Sequence, residues 1–143
     1  LIIEPGRYIS GNSGALLTCV QYKKKADIKT FIIVDSGMHH LIRPTLYQAY
    51  QHIANVTLRE GKEIVDVVGP ICESGDFFAK DREISYTQQG DYLAVLSAGA
   101  YGMVMASRYN SHPFPAEVLV DGKTHRLIRS RETYEDLIAR ERV

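Results

Sequence analysis

The apolar residues of this chain fall mostly in short runs with strand character rather than on helical stripes. Residues 14–22 (GALLTCVQY) are apolar with β-branched and aromatic members. They predict a long strand, closed by a polar break at Lys23, Lys24 and Lys25. Residues 30–35 (TFIIVD) form a continuous apolar run ending at Ser36 and Gly37, the pattern of a buried strand. Residues 63–69 and 92–97 read the same way, and 102–109 is a further candidate. Within residues 116–130, AEVLV and KTHRLIRS flank Asp121-Gly122, a favoured dipeptide for a two-residue primed hairpin turn. Two helices are predicted. One starts near Pro44, with Leu46, Ala49, Tyr50 and Ile53 at i, i+3, i+4 and i+7. The other follows Ser130 as N-cap, with Glu132 in its first turn and Tyr134, Leu137 and Ile138 on one face. Many short strands and two short helices predict a mainly β fold, an antiparallel β-barrel or sandwich.

Leu1-Ile2-Ile3 reads as a buried strand already under way, with no initiator Met before it. The expectation is a piece cut from a longer chain. Its 143 residues still suffice for a domain with a real core. Lys plus Arg equals Asp plus Glu at 17 each, so charge makes no case for nucleic acid or an acidic membrane surface. No apolar run approaches the roughly 20 residues of a spanning helix. The first residues lack the basic start and long apolar stretch of a signal peptide. Two cysteines, Cys19 and Cys72, make no disulfide framework, so a cytoplasmic protein with reduced thiols is the default.

Several short stretches carry candidate chemistry, each with a plainer alternative. In EPGR, Pro5 and Gly6 turn the chain sharply and Gly6 permits close approach to a bound group. Glu4 and Arg7 then flank a strand end, or are a solvated pair at a turn. In DSGMHHLIRPTLY, Arg43 and Tyr47 are neighbours on one helical face. An arginine with a phenol suits a carboxylate; an exposed Arg with a core Tyr is the alternative. His39 and His40 are adjacent, not at the spacing of two ligands on one face, and are read as non-metal residues. Cys19 lies in an apolar strand and reads as inert core. In GAYG, two glycines expose Tyr101, either to bind a phosphate or as a packed turn residue. In GPICESGD, Cys72 and Glu73 are a proton donor and a cation binder, or a structural Cys beside a surface Glu.

In chain order, EPGR, DSGMxxLIRPxLY, GPICESGD, SAGAYG and Tyr109-Asn110 resemble the C-terminal part of the diaminopimelate decarboxylase family. That family belongs to the pyridoxal-phosphate decarboxylases with an alanine-racemase-like fold. The similarity runs from Glu4 to Arg129, nearly the whole chain. One departure is His39-His40, where the family has Asn-Asp. The resemblance implies a TIM barrel followed by a β domain. Residues 1–6 would end the barrel's last strand and 7–143 would be the β domain. The Schiff-base lysine and the phosphate-binding glycine loop would lie in the barrel, outside this chain.

The implied reaction is pyridoxal-phosphate-dependent decarboxylation of meso-2,6-diaminoheptanedioate to L-lysine and CO2, the last step of lysine biosynthesis. By resemblance, Glu4 pairs with the cofactor's ring nitrogen, Pro5 and Gly6 line the cofactor, and Arg7 contacts substrate beside it. Tyr101 contacts phosphate and substrate, and Arg43 and Tyr47 bind the distal carboxylate. Cys72 is the catalytic thiol and Glu73 binds the distal ammonium, both in the other subunit's site of a homodimer. Asp76 is implied to be structural or at the interface. The alternatives are a related decarboxylase acting on ornithine, arginine, carboxynorspermidine or a carrier-bound substrate, and an inactive, partner-binding relative. Diaminopimelate carries an ammonium and a carboxylate at its distal end, matching Glu73 with Arg43 and Tyr47. An ornithine-type site has no use for Arg43.

Overall fold

The computed structural model describes residues 1–141. The contacts group the chain into two compact units, Leu1–Ala106 and the residues from Ser107 onward.

The first unit is built on six strands: β1 (Leu16–Lys25), β2 (Thr30–Val34), β3 (Ile53–Asn55), β4 (Lys62–Val68), β5 (Phe77–Ser85) and β6 (Tyr92–Val95). They form one sheet in the order β3-β6-β1-β2-β4-β5. β2 and β4 run parallel, with Phe31 opposite Asp66 and Ile33 opposite Val68, and the other pairs are antiparallel. The two edges approach each other. The Asn55 amide on β3 donates to Ser85 O (3.2 Å) and to Thr87 Oγ1 (2.9 Å) just beyond β5. The sheet is thus a nearly closed barrel, which shields both edges. Its interior is filled by alternate side chains, among them Val20, Ile32, Val34, Val67, Phe78 and Leu93. This is the mainly β, mainly antiparallel fold that the run lengths predict.

The elements correct the sequence reading in several places. Lys23, Lys24 and Lys25 do not break β1; they pair with Ile32, Phe31 and Thr30. A backbone ladder is indifferent to a charged side chain that can reach water or a partner, and Lys23 Nζ reaches Glu63 (2.7 Å) and Thr87 O (2.9 Å). The helix at Pro44 is one turn, α2 (Arg43–Tyr47). It stops where Gln48 turns left-handed (φ 52°), and Ile53 belongs to β3. Residues 102–109 form no strand but contain a 3₁₀ turn, Met103–Met105. Leu1, Ile2 and Ile3 are exposed and pair with none of the six strands, as the end of a strand whose partners lie outside this chain would be. β5 and a one-turn helix α1 (Arg7–Ser10) were not foreseen.

In the second unit, β7 (Glu117–Asp121) and β8 (Thr124–Arg129) make the expected hairpin. Asp121 pairs with Thr124, so the turn is Gly122-Lys123, one residue past the predicted dipeptide, with Gly122 at φ 58°. The helix α3 (Tyr134–Ile138) is capped by Thr133, not Ser130. Thr133 and Asp136 form a reciprocal capping box, with Thr133 Oγ1 accepting from the Asp136 amide at 3.2 Å. Glu132 precedes this helix and instead pairs with Arg108 and accepts from Phe114 N (3.0 Å). Among the described residues no helix is long and apolar enough to cross a membrane.

Candidate active site

Tyr101 sits where two chain segments of the first unit meet. Its own φ of 55° lies in the left-handed region, which a bulky side chain takes only when its surroundings impose it. Those surroundings are visible. Ala98 N donates to Gly14 O (2.8 Å), Gly99 N donates to Gly11 O (3.0 Å), and Ser97 Oγ meets Asn12 Oδ1 (2.8 Å). The approach requires glycine at 99. A Cβ there would collide with Ser10 O and stand 2.6 Å from Ser13 Oγ and 2.8 Å from Gly14 N. The loop is thereby pinned to the segment that contains α1. The Tyr101 hydroxyl lies against Gly6, where a Cβ would be only 2.8 Å away.

Arg43 opens α2, with buried Pro44 next and Tyr47 one turn on. Its guanidinium carbon is 5.3 Å from the Tyr47 ring centroid and 5.4 Å from that of Tyr101. Two rings therefore lie within cation–π range of one planar cation, a type suited to a planar anion. The structure thus brings Gly6, Arg43, Tyr47 and Tyr101 together. Glu4, Pro5 and Arg7 are exposed on the chain either side of Gly6, with the Arg7 stem against Gly11.

Cys72 and Glu73 are exposed on the loop between β4 and β5, which Thr45 ties to α2. Glu73 Oε1 accepts from Gly75 N (3.1 Å), which curls the side chain over its own loop. Asp76 is buried beneath them and accepts from Ile71 N (2.6 Å) and Met38 N (2.7 Å). Thr45 of α2 donates its hydroxyl to Gly75 O. Sequence reasoning gave Asp76 no such reach and missed Thr45 altogether. The signal for Asp76 was the pair of glycines, Gly37 and Gly69, that its carboxylate fits against; Thr45 carried none.

His39 is buried and its ring lies 3.8 Å from that of His40, whose Nδ1 is 2.9 Å from Ser36 Oγ. Among the described residues no cluster of three or more His, Cys, Asp or Glu is placed to hold a metal. Cys19 is half-buried in β1. Burial first, then the charges of Asp35 and Asp91, raise its thiol above the usual range, which disfavours the reactive thiolate.

Residues 7–99 match the family described as pyridoxal-dependent decarboxylase, C-terminal sheet domain. The chain belongs to that family. It is 57% identical over 139 residues to the diaminopimelate decarboxylase of Aquifex aeolicus, covering 96% of this chain and 33% of that protein. The Haemophilus influenzae diaminopimelate decarboxylase is 52% identical, over 99% of this chain and 34% of its own length. The diaminopimelate decarboxylase of M. jannaschii, solved in complex with L-lysine, superimposes with a TM-score of 0.94 at 43% identity. That match covers 98% of this chain and 32% of that one. This member of the sheet-domain family therefore spans about a third of the length of the curated relatives it matches.

Proposed function

We propose that the chain is the C-terminal portion of an enzyme that decarboxylates meso-2,6-diaminoheptanedioate to L-lysine and CO2 with pyridoxal phosphate as cofactor. On this reading residues 1–6 end the last strand of an upstream TIM barrel, whose lysine holds the cofactor. The enzyme works as a homodimer in the cytoplasm. The observation that carries the proposal is Arg43, within cation–π range of the rings of both Tyr47 and Tyr101, with the Tyr101 hydroxyl against Gly6. A carboxylate receptor stands beside a stretch of backbone with no Cβ in the way.

The donor set fits the cofactor. Gly6 lets the Tyr101 hydroxyl lie against the backbone, and an exposed carboxylate and guanidinium flank it at Glu4 and Arg7. Bound there, pyridoxal phosphate supplies the sink for the electron pair released when CO2 leaves. Glu4 holds a proton on the ring nitrogen, because a neighbouring carboxylate favours the cationic form. Pro5 and Gly6 line the group, and Tyr101 donates to its phosphate. Arg7 contacts the reacting end of the substrate. Arg43 and Tyr47 take the distal carboxylate through charge-assisted hydrogen bonds. Glu73 takes the distal ammonium, and Cys72 delivers a proton to the carbon that lost CO2. Cys72 and Glu73 act in the partner subunit's site.

The test is CO2 release by the full-length protein from diaminopimelate, ornithine and arginine in parallel. Diaminopimelate is expected to be the best substrate by kcat/KM. Faster release from ornithine or arginine would remove the substrate assignment, and no release from any of them would remove the activity.

A further inference from the structure

We propose that Asp76 is a positioning residue for the reaction: one buried carboxylate sets the loop that carries Cys72 and Glu73 against the turn that leads to Arg43 and Tyr47. The proposal rests on the site assignment given above. Asp76 is 5% exposed, and its two carboxylate oxygens serve two different segments. Oδ2 accepts from Ile71 N at 2.6 Å, immediately before Cys72, and Oδ1 accepts from Met38 N at 2.7 Å. Short bonds from backbone N–H to a carboxylate in a dry interior are among the stronger ones a fold can make.

Both segments are shaped to admit that carboxylate. A Cβ on Gly37 or on Gly69 would run into it, and one on Gly69 would also stand 2.6 Å from Gly37 Cα. The two backbones thus pass each other at Asp76 with no room for a side chain. From Met38 the path to Arg43 is stiff. His40 N and Leu41 N both donate to Gly37 O, at 3.0 and 3.1 Å, and Leu41 is buried in the core. On the other arm, Gly69 N donates to Asp76 O (3.1 Å) and Asp76 N to Glu73 O (3.0 Å), closing the loop on itself. Thr45 adds a second tie through Gly75 O, and a Cβ on Gly75 would be 2.8 Å from Thr45 Cγ2. Displacing Asp76 therefore moves both recognition arms. Since Cys72 serves the partner's site and Arg43 its own, the carboxylate links the two sites of the dimer.

A buried carboxylate that merely closes a turn exists in the same unit and provides the control. Asp91 is 3% exposed and accepts from Gln88 N (2.8 Å) and Arg59 (2.8 Å). In the full-length protein, Asp76→Asn, Asp91→Asn and Thr45→Val are compared by two readouts. One is kcat and KM for diaminopimelate. The other is the rate at which iodoacetamide alkylates Cys72, followed on its peptide by mass spectrometry without substrate. Asp76→Asn is expected to raise KM and lower kcat together, with kcat/KM down about 100-fold, and to alkylate several-fold faster. Thr45→Val is expected to move both readouts the same way by less. Asp91→Asn is expected to lower the melting temperature and leave both readouts at wild type. Asp76→Asn behaving like Asp91→Asn, or like wild type, overturns the proposal. Should Asp76→Asn not fold, Thr45→Val decides: KM and alkylation moving together support the link, and neither moving overturns it. If wild type releases no CO2 from diaminopimelate, the function assignment fails, while alkylation still decides the positioning claim.

Discussion

Arg43 presents a planar cation near two phenol rings, and lysine is a poor replacement for it there. An ammonium is a compact point charge with neither the fork for a carboxylate nor the plane for stacking. Arg43→Lys in the full-length protein is expected to raise KM for diaminopimelate about 10- to 100-fold. The fall in kcat should be much smaller, because the distal carboxylate is held equally before and during the reaction. Steady-state kinetics check this; a loss in kcat with KM unchanged would take Arg43 out of distal recognition. Asp91 shows the other use of a charged residue. Hydrogen bonds from Arg59 hold its carboxyl below the usual range, helped by Gln88 N and opposed by burial. A carboxyl lowered by folding adds stability above its unfolded value of about 3.9, and that stability is lost as pH falls through the folded value. Arg59 is partly exposed, so Asp91→Asn is expected to cost about 1–2 kcal/mol at neutral pH. The gap from wild type should close below about pH 4. Denaturation midpoints across that range measure it, and a gap that stays constant would mean that the charge of Asp91 contributes nothing.

Elements were legible where one physical pattern ruled a whole segment. β2 and β6 are short apolar runs because the barrel buries most of their length, β4 is buried along Val65–Val67, and the β7–β8 hairpin announces itself by its turn. β5 was hidden by Lys80-Asp81-Arg82-Glu83. There the ladder is irregular, Asp81 takes φ 48°, and Arg82 lies over the Tyr50 ring at 4.1 Å. The helical spacing from Leu46 to Ile53 was real but accidental, since Gln48 ends the helix and no local signal marked it. The motif order pointed to Arg43 with Tyr47 and, separately, to Tyr101, and the structure places all three near one another. The ties that aim these residues were not legible, because hydrogen bonds such as Thr45 to Gly75 join positions thirty residues apart. Gly99 is the element-scale test of that aiming. Gly99→Ala forces a Cβ onto the backbone of Ser10 and Gly14, and overpacking of this kind costs about 1–3 kcal/mol. It should also lift Tyr101 from Gly6 and weaken pyridoxal phosphate binding, read by absorbance titration. A stable variant with unchanged affinity would show that the loop does not set Tyr101.

At the scale of the whole molecule, the two groups of proposed recognition residues lie on one unit and are tied to each other through Asp76 and Thr45. Arg43, Tyr47, Tyr101 and Gly6 form one cluster, while Cys72 and Glu73 stand exposed on a loop stiffened from beneath by Asp76. A rigid, exposed loop that carries a thiol and a carboxylate is suited to reach outward rather than to close over its own chain. On the proposed reading the group acted on belongs to another copy, which a single sequence does not contain. Mixed subunits expose it. A subunit with Cys72→Ala keeps its cofactor lysine, and a subunit lacking that lysine keeps Cys72. If each loop completes the partner's site, every mixed dimer has one intact site. Random pairing of equal amounts then restores activity to about a quarter of the sites. If each loop serves its own chain, every site in the mixture lacks either the thiol or the lysine, and none is restored. Activity near a quarter of wild type is the expected result. Its absence, in a mixture shown to contain mixed dimers, would confine Cys72 to its own chain.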